Sequence, residues 1–129
     1  MAAGLIALGG CGANGLGLAR VPEGSWGGDN VALTVAASSA TVEFDCAHAR
    51  IEQPLSLDGD GRFGVPGTFV REHGGPVHEG EPEDAHPAVF EGQTDGHTLT
   101  LNVRLSDVDQ RIGPFVAVRG AVARLVKCV

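Results

Sequence analysis

The sequence contains no tyrosine, one tryptophan and five phenylalanines, so it lacks the aromatic platforms on which proteins stack single-stranded nucleic acid. Positive charge is also scarce, because 9 Lys and Arg residues stand against 16 Asp and Glu residues and the net charge is −7. A phosphate backbone and an anionic bilayer surface are both repelled by such a charge. The composition therefore argues against nucleic acid as a partner, and the acidity itself is typical of a soluble surface.

Long apolar runs are also lacking. Residues 1–10 carry no charge, but this stretch is too short for a transmembrane helix, which needs roughly 20 residues. Its length suits the core of a secretory signal. The sequence L-G-G-C at residues 8–11 resembles a bacterial lipoprotein cleavage box. This resemblance implies a lipid on Cys11, a membrane anchor through that lipid, and a location in the periplasm or cell envelope. Residues 1–23 are accordingly predicted to be a signal-like segment followed by a Gly-rich tether.

Runs that favour helix are scarce, whereas 20 glycines and 7 prolines separate short β-branched segments. This pattern is typical of an all-β protein, and it predicts one β domain over residues 24–129. Period-two alternation is clearest in residues 41–46, where Val42, Phe44 and Cys46 share the inward face. The eight predicted strands are residues 25–35, 41–46, 49–57, 63–72, 88–94, 98–105, 111–119 and 121–129.

Eight short strands with short connections predict an antiparallel up-and-down β-barrel, with a two-sheet β-sandwich as the alternative. A barrel of this size is either filled by its own side chains or holds one small ligand. If the barrel is hollow, we expect it to bind a small apolar ligand. The predicted lining residues are inward-facing and apolar: Leu33, Val42, Phe44, Leu101 and Val116.

The three cysteines suggest one disulfide and one residue left over. In a closed meander the first strand pairs with both the second and the last, so Cys46 and Cys128 are predicted to meet at one rim. Cys11 then remains for the lipid. A disulfide between Cys46 and Cys128 indicates an oxidising compartment, which agrees with export.

Residues 24–26, G-S-W, open the first predicted strand, and Arg124 faces inward in the last one. In these features the chain resembles the calycin superfamily, the lipocalin-like barrels. The resemblance implies that Trp26 and Arg124 pack together across the closed end of the barrel, where a guanidinium can lie on an indole face. Trp26 needs a bulge at residues 27–28 to share a face with Leu33. Arg119 is a competing candidate for the arginine.

Residues 72–87 form the one long predicted loop, with five acidic residues, three histidines and no basic residue. His73, His78 and His86 are weak candidates for metal ligands, since imidazole and carboxylate groups suit zinc. Their spacing does not fix a coordination geometry, and a solvated acidic loop is the favoured interpretation. We therefore predict no metal and no cofactor. The order of the strands places this loop at the same rim as the disulfide.

No serine has the G-x-S-x-G context of a nucleophile, and no Gly-rich loop leads into a helix. We therefore predict a protein that is not an enzyme. The leading hypothesis is a non-catalytic, exported or lipid-anchored envelope barrel that binds a small apolar ligand or another protein. The alternatives are an inhibitor of an envelope hydrolase such as lysozyme, acting through residues 72–87, and a metal-binding protein using the same loop.

Overall fold

The computed structural model describes residues 18–128 and contains eight antiparallel strands that close into one barrel, as predicted. Each strand pairs with the next along the chain, and the last pairs with the first. Predictions that concern residues 1–17 and Val129, including the lipid on Cys11, lie outside the described residues. The strands are β1 (Gly24–Gly28), β2 (Val31–Val35), β3 (Ala40–Phe44), β4 (Ala47–Ile51), β5 (Arg62–Arg71), β6 (Asp84–Thr94), β7 (Thr98–Leu105) and β8 (Gln110–Arg119).

The predicted first strand is in fact a hairpin. Asp29 and Asn30 connect β1 to β2, and Asn30 adopts a φ of 70°, in the left-handed region that Asn tolerates in such turns. The turn brings Trp26 opposite Leu33 in the register of β1 and β2, and both side chains are buried. The turn at Asp29 and Asn30, and not the predicted bulge at residues 27–28, therefore places Trp26 and Leu33 on the same face.

The prediction of a strand at residues 121–129 is wrong, because residues 121–128 are not part of any named strand in the described structure. β8 pairs with β1 and closes the ring, which leaves no edge for another strand. Instead, residues 121–128, here called the C-terminal strap, turn back along β1. The strap makes a single parallel bridge between Asp29 and Arg124. The predicted number of strands is confirmed, but the strand predicted at residues 25–35 is two strands, and the strap takes the place of the strand predicted at residues 121–129.

The barrel interior is filled by its own side chains, which form one apolar cluster. Inward-facing glycines make room for phenylalanine rings: a Cβ on Gly92 would lie 2.5 Å from Cζ of Phe63, and a Cβ on Gly67 would lie 2.7 Å from Cε1 of Phe90. Such pairing of a glycine with a cross-strand aromatic ring fills space that a small residue leaves open. Of the five predicted lining residues, four are buried in this cluster: Leu33, Val42, Phe44 and Leu101.

The fifth predicted lining residue, Val116, is 51% exposed, so its inward assignment is wrong. Leu101 pairs with Phe115 and Val103 pairs with Ile112, which leaves β8 with one more residue than β7 over this interval. Such a bulge reverses the alternation of side chains beyond it. Ala117 takes the inward position instead, at 2% exposure.

Trp26 is buried, and its indole Nε1–H donates to the carbonyl oxygen of Pro22 at 3.1 Å. The side chain of Arg124 is 84% exposed and faces the carboxylate of Asp29 at 3.5 Å. The predicted inward orientation of Arg124 is therefore wrong, because the strap lies outside the barrel. The pairing of β1 with β8 places Arg119, the competing candidate, opposite Trp26.

The folded part of the chain extends beyond the predicted start at residue 24. The amide of Val21 donates to the carbonyl of Leu55 at 3.0 Å, and the amide of Leu57 donates to the carbonyl of Ala19 at 2.9 Å. Val21 and Leu55 are both 2% exposed and belong to the core cluster. These two side chains thus join the core at the end of the barrel where β1 begins.

Candidate functional site at the disulfide rim

One end of the barrel carries the predicted disulfide and is called here the disulfide rim. It consists of the turns at residues 29–30, 45–46 and 106–109 together with the rim loop, residues 72–83. Cys46 in the second turn is bonded to Cys128 at the end of the strap, with 5.2 Å between their Cα atoms. The disulfide prediction is confirmed, and so is the placement of the long loop at the same rim.

Lys127 fastens the strap to this rim beside the disulfide. Its Nζ donates to the carbonyl oxygens of Phe44 at 2.7 Å and Ala47 at 3.2 Å, which flank the turn that contains Cys46. The same ammonium lies 3.0 Å from a carboxylate oxygen of Glu43 and 3.0 Å from one of Glu72. Burial lowers the pKa of Lys127, but hydrogen bonds to Glu72 and Glu43 outweigh it and leave the pKa above its usual value.

We expect Lys127→Met to lower the free energy of unfolding by about 1–2 kcal/mol, since Lys127 bonds to charged groups but is partly exposed to screening solvent. Methionine keeps the length of the side chain and removes its donors. Urea denaturation measures the change. Arg124→Met is the matched control on the same strap, and its exposed ion pair predicts a loss below about 0.5 kcal/mol. Equal effects of the two substitutions would contradict the role given to Lys127.

Asp45 provides the second attachment of the strap. One carboxylate oxygen accepts the amide of Val126 at 2.9 Å, and the other accepts the side-chain amide of Asn30 at 2.7 Å. Arg124 completes the contact through its backbone, donating to the carbonyl of Gly28 at 3.0 Å and accepting from the amide of Asn30 at 2.8 Å. None of the strap residues is fully buried, and polar contacts and one disulfide fasten the strap to the rim.

The rim loop starts at the disulfide. The amide of Glu72 donates to the carbonyl of Cys46 at 2.9 Å, and the Glu72 carboxylate accepts a hydrogen bond from His48 at 2.8 Å. Burial raises the pKa of Glu72, but hydrogen bonds from His48 and Lys127 overcome this and hold the pKa below its usual value. Glu72 is thereby kept as a carboxylate that joins the loop, the strap and β4.

Glu81 organises the tip of the rim loop. Its carboxylate accepts the amide of His78 at 3.0 Å and also contacts the ring of His73. The His78 amide, followed by His73, lowers the pKa of Glu81. Val77 directly precedes His78 and has 75% of its surface exposed. The loop therefore holds an apolar side chain out to solvent among carboxylates.

His86, at the start of β6, lies between two carboxylates. Its ring contacts Asp107 at 2.8 Å and Asp84 at 3.0 Å. The hydrogen bond to Asp107 raises the pKa of His86, burial opposes this increase, and the charges of Asp107 and Asp84 add to it. The ring of His86 thus connects the base of the rim loop to the turn at residues 106–109.

We expect the barrel to be more stable in mild acid than in mild alkali through this histidine. A raised folded-state pKa gives a stabilisation that is complete below the ordinary value of 6.5 and is lost as the pH rises through the folded-state value. Urea midpoints at about pH 5.5 and about pH 8.5 measure it in wild type and His86→Gln. The variant should lose the part of the pH dependence that His86 contributes, while His73, whose pKa is raised by its hydrogen bonds to Gly74 and Glu81, still contributes. The control His97→Gln, on the turn at the opposite end, should retain the full dependence. An unchanged dependence in His86→Gln would contradict the assignment.

The three histidines proposed as weak metal ligands have separate partners. His73 contacts Glu81, His78 uses its backbone amide, and His86 bonds to Asp84 and Asp107. Over residues 18–128, the structure has no group of three His, Cys, Asp or Glu side chains placed to hold a metal ion. The rim loop is thus arranged by hydrogen bonds within the chain.

A groove of about 340 Å³ lies between the rim loop and the barrel end. Its apolar lining includes Val70, Val77 and Pro82, and Cys128 of the disulfide also lies along it. Four carboxylates line the groove, those of Glu72, Glu81, Glu83 and Asp84, together with the guanidinium of Arg71. His48 and His73 also line it. The groove is therefore acidic, partly apolar and lined in part by Cys128 of the disulfide.

Sequence reasoning found the two cysteines, the loop and its histidines, but it missed Lys127 and Asp45. Each of these residues is adjacent in sequence to a cysteine of the disulfide. Once two cysteines are paired, a charged residue next to either cysteine is a candidate for bonding to the segment on the other side of the bridge. That adjacency was the available signal.

Together, the fold and the rim define a closed eight-stranded antiparallel β-barrel with a disulfide-anchored strap and an acidic loop. The chain was compared with protein-family models, with curated proteins and with solved structures, and none of the three comparisons found a match. Within the part of the chain that the structure describes, no helix is long and apolar enough to cross a membrane.

Proposed function

We propose that this chain is a non-catalytic, exported envelope protein that binds a basic protein partner through the disulfide rim. The observation that carries this proposal is the rim loop: an exposed Val77 stands among carboxylates, and the base of the loop is fastened next to the disulfide. An apolar contact surrounded by charges of one sign is suited to a partner of the opposite charge.

The packing of the barrel supports a role at the surface. Side chains fill the interior, and phenylalanine rings occupy the space next to two inward glycines. A small apolar ligand inside the barrel would have to displace this packing, and protein interiors are generally packed as densely as organic crystals. Binding at the rim needs no such rearrangement.

Export is supported by the disulfide, because such bonds persist in oxidising compartments. Within this proposal, Cys11 carries the lipid that anchors the protein to the envelope membrane, and the barrel is a lipocalin-like relative of the calycins. Mass spectrometry of native protein tests the anchor. A lipid-modified amino-terminal Cys11 is the expected result, and an unmodified Cys11 would contradict this part of the proposal.

The specific form of the proposal is inhibition of an envelope hydrolase. Lysozyme is a suitable basic probe, and its binding can be measured by isothermal titration at low and at physiological salt. We expect Val77→Asn together with Glu79→Gln to weaken binding at least about tenfold, since the first substitution removes the apolar contact and the second removes one negative charge.

The matched control is Glu52→Gln together with Glu91→Gln, which removes two exposed carboxylates outside the rim loop. This control should retain binding to lysozyme if the rim is the contact surface. Equal weakening in both double variants would indicate general attraction to an acidic protein and would contradict docking at the rim. The absence of binding at low salt would contradict the choice of a basic hydrolase.

A further inference from the structure

We propose that the Cys46–Cys128 disulfide is a site of thiol–disulfide exchange, at which an incoming thiol bonds to Sγ of Cys128 and frees the C-terminal strap. Two observations support this. The groove beside the rim loop is lined by Cys128, whereas Cys46 is not part of its lining. The strap also contributes no buried residue, so its release leaves the apolar cluster of the barrel complete.

The chemistry is a two-electron reduction by a small thiol. A thiolate in the groove forms a bond to Sγ of Cys128, and the electron pair of the broken sulfur–sulfur bond leaves with Cys46 as a thiolate, which takes a proton from water. A second thiolate then attacks the thiol-derived sulfur of the mixed disulfide. It forms the oxidised reagent and releases Cys128 as a thiolate, which takes a proton from water. Two thiols are oxidised for each disulfide that is reduced.

The charge of the groove determines which thiols react fastest. Four carboxylates line it against the guanidinium of Arg71. Lys127 and Arg50 pair with Glu72 and Glu83 and leave a smaller excess of negative charge, which repels an anionic reagent and attracts a cationic one. The ammonium of Lys127 bonds to the carbonyls of Phe44 and Ala47, which flank the turn that contains Cys46. A positive charge in this position favours the departing thiolate.

Exchange would change the surface of the molecule at β1. The strap at present covers Gly27, where an added Cβ would lie 2.3 Å from the carbonyl oxygen of Ala121. It also occupies the carbonyl of Gly28 and the amide of Asn30 by pairing with Arg124. Release of the strap leaves these two backbone groups open to another extended segment.

The first test compares cysteamine, a cationic thiol, with 3-mercaptopropionate, an anionic one, on the oxidised full chain. Expressed per thiolate, cysteamine should react roughly tenfold faster, and added salt should reduce the ratio. Glu83→Gln together with Asp84→Asn, both in the groove, should bring the ratio closer to one. Glu52→Gln together with Glu91→Gln should leave it unchanged. Equal ratios in the two double variants would overturn the proposed route.

The second test locates the bond and the motion. Rapid alkylation and peptide mass spectrometry should find the reagent on Cys128, and a mixed disulfide on Cys46 would overturn the proposal. After full reduction, hydrogen exchange should accelerate at the amides of Arg124 and Val126 while β7 stays protected. If β7 loses protection to the same extent, reduction unfolds the barrel and does not release the strap specifically. If the strap stays protected, reduction does not release it. Either result would overturn the proposal.

Discussion

Replacement of Cys46 and Cys128 together by alanine is expected to lower the free energy of unfolding by roughly 4 kcal/mol. The disulfide spans a sequence separation of 82 residues, and in the chain-entropy model a bridge across a long loop removes much of the freedom of the unfolded chain. Because the strap can leave the barrel when the bridge is absent, the folded double variant regains some freedom. The observed loss should therefore be at or below this figure.

Urea denaturation and thermal unfolding of the oxidised wild type and the double variant measure this loss. For a domain of this size, roughly 4 kcal/mol corresponds to a decrease in Tm of about 15 °C. The reduced wild type should behave like the double variant, since both lack the same bridge. A double variant as stable as the oxidised protein would show that the bridge does not restrict the unfolded chain.

Gly28→Ala is expected to destabilise the barrel by at least about 2–3 kcal/mol, because the added methyl group would crowd the contact between β1 and β8 that closes the barrel. A Cβ on Gly28 would lie 1.9 Å from the carbonyl oxygen of Val116, a backbone atom that cannot move by a change of rotamer. The pairing of β1 with β8 consists of two residue pairs, Trp26 with Arg119 and Gly27 with Val118. Such a short pairing has little capacity to absorb a displacement of either strand.

Gly64→Ala provides the matched control, since Gly64 also lies in a strand and the nearest atom to its added Cβ would be Cγ of Glu91 at 3.9 Å. An alanine there should change stability by less than about 1 kcal/mol and should favour folding by restricting the unfolded chain. Urea denaturation measures both variants, and hydrogen exchange at β1 and β8 reports on the closure. Comparable stabilities for Gly28→Ala and Gly64→Ala would contradict the importance of this contact.

The disulfide shows how a correct prediction can rest on partly incorrect geometry. Sequence reasoning placed Cys128 at the end of a closing strand, but the cysteine lies on the strap, and the barrel is closed by β8. The pairing was still found, because both arrangements bring the end of the chain back to the turn at residues 45–46. The details differ because residues 25–35 contain a turn at Asp29 and Asn30, which supplies the extra strand.

The candidate site was predictable only in its parts. The acidity of residues 72–87 and the two cysteines can be read from the sequence, since both are local properties of composition. The contacts of Lys127 with Glu43, Phe44, Ala47 and Glu72 join residues 55 to 84 positions apart in the chain. No periodic pattern carries that information, because it depends on the path that the strap takes after β8.

The sequence by itself determined the all-β class and the position of the long loop, since alternation and turn residues act over a few neighbouring positions. The predicted count of eight strands agrees because the missed turn at residues 29–30 is balanced by the strand wrongly predicted at residues 121–129. The disulfide was predicted from the return of the chain end to the turn at residues 45–46. Only the tertiary structure decided that β8 closes the barrel, that Val116 faces outward and that Arg124 lies in solvent. The closure by β8 and the position of Arg124 depend on which strand edge remains free, and the orientation of Val116 depends on a one-residue bulge. Both the free edge and the bulge are determined only when strands distant in the sequence pair.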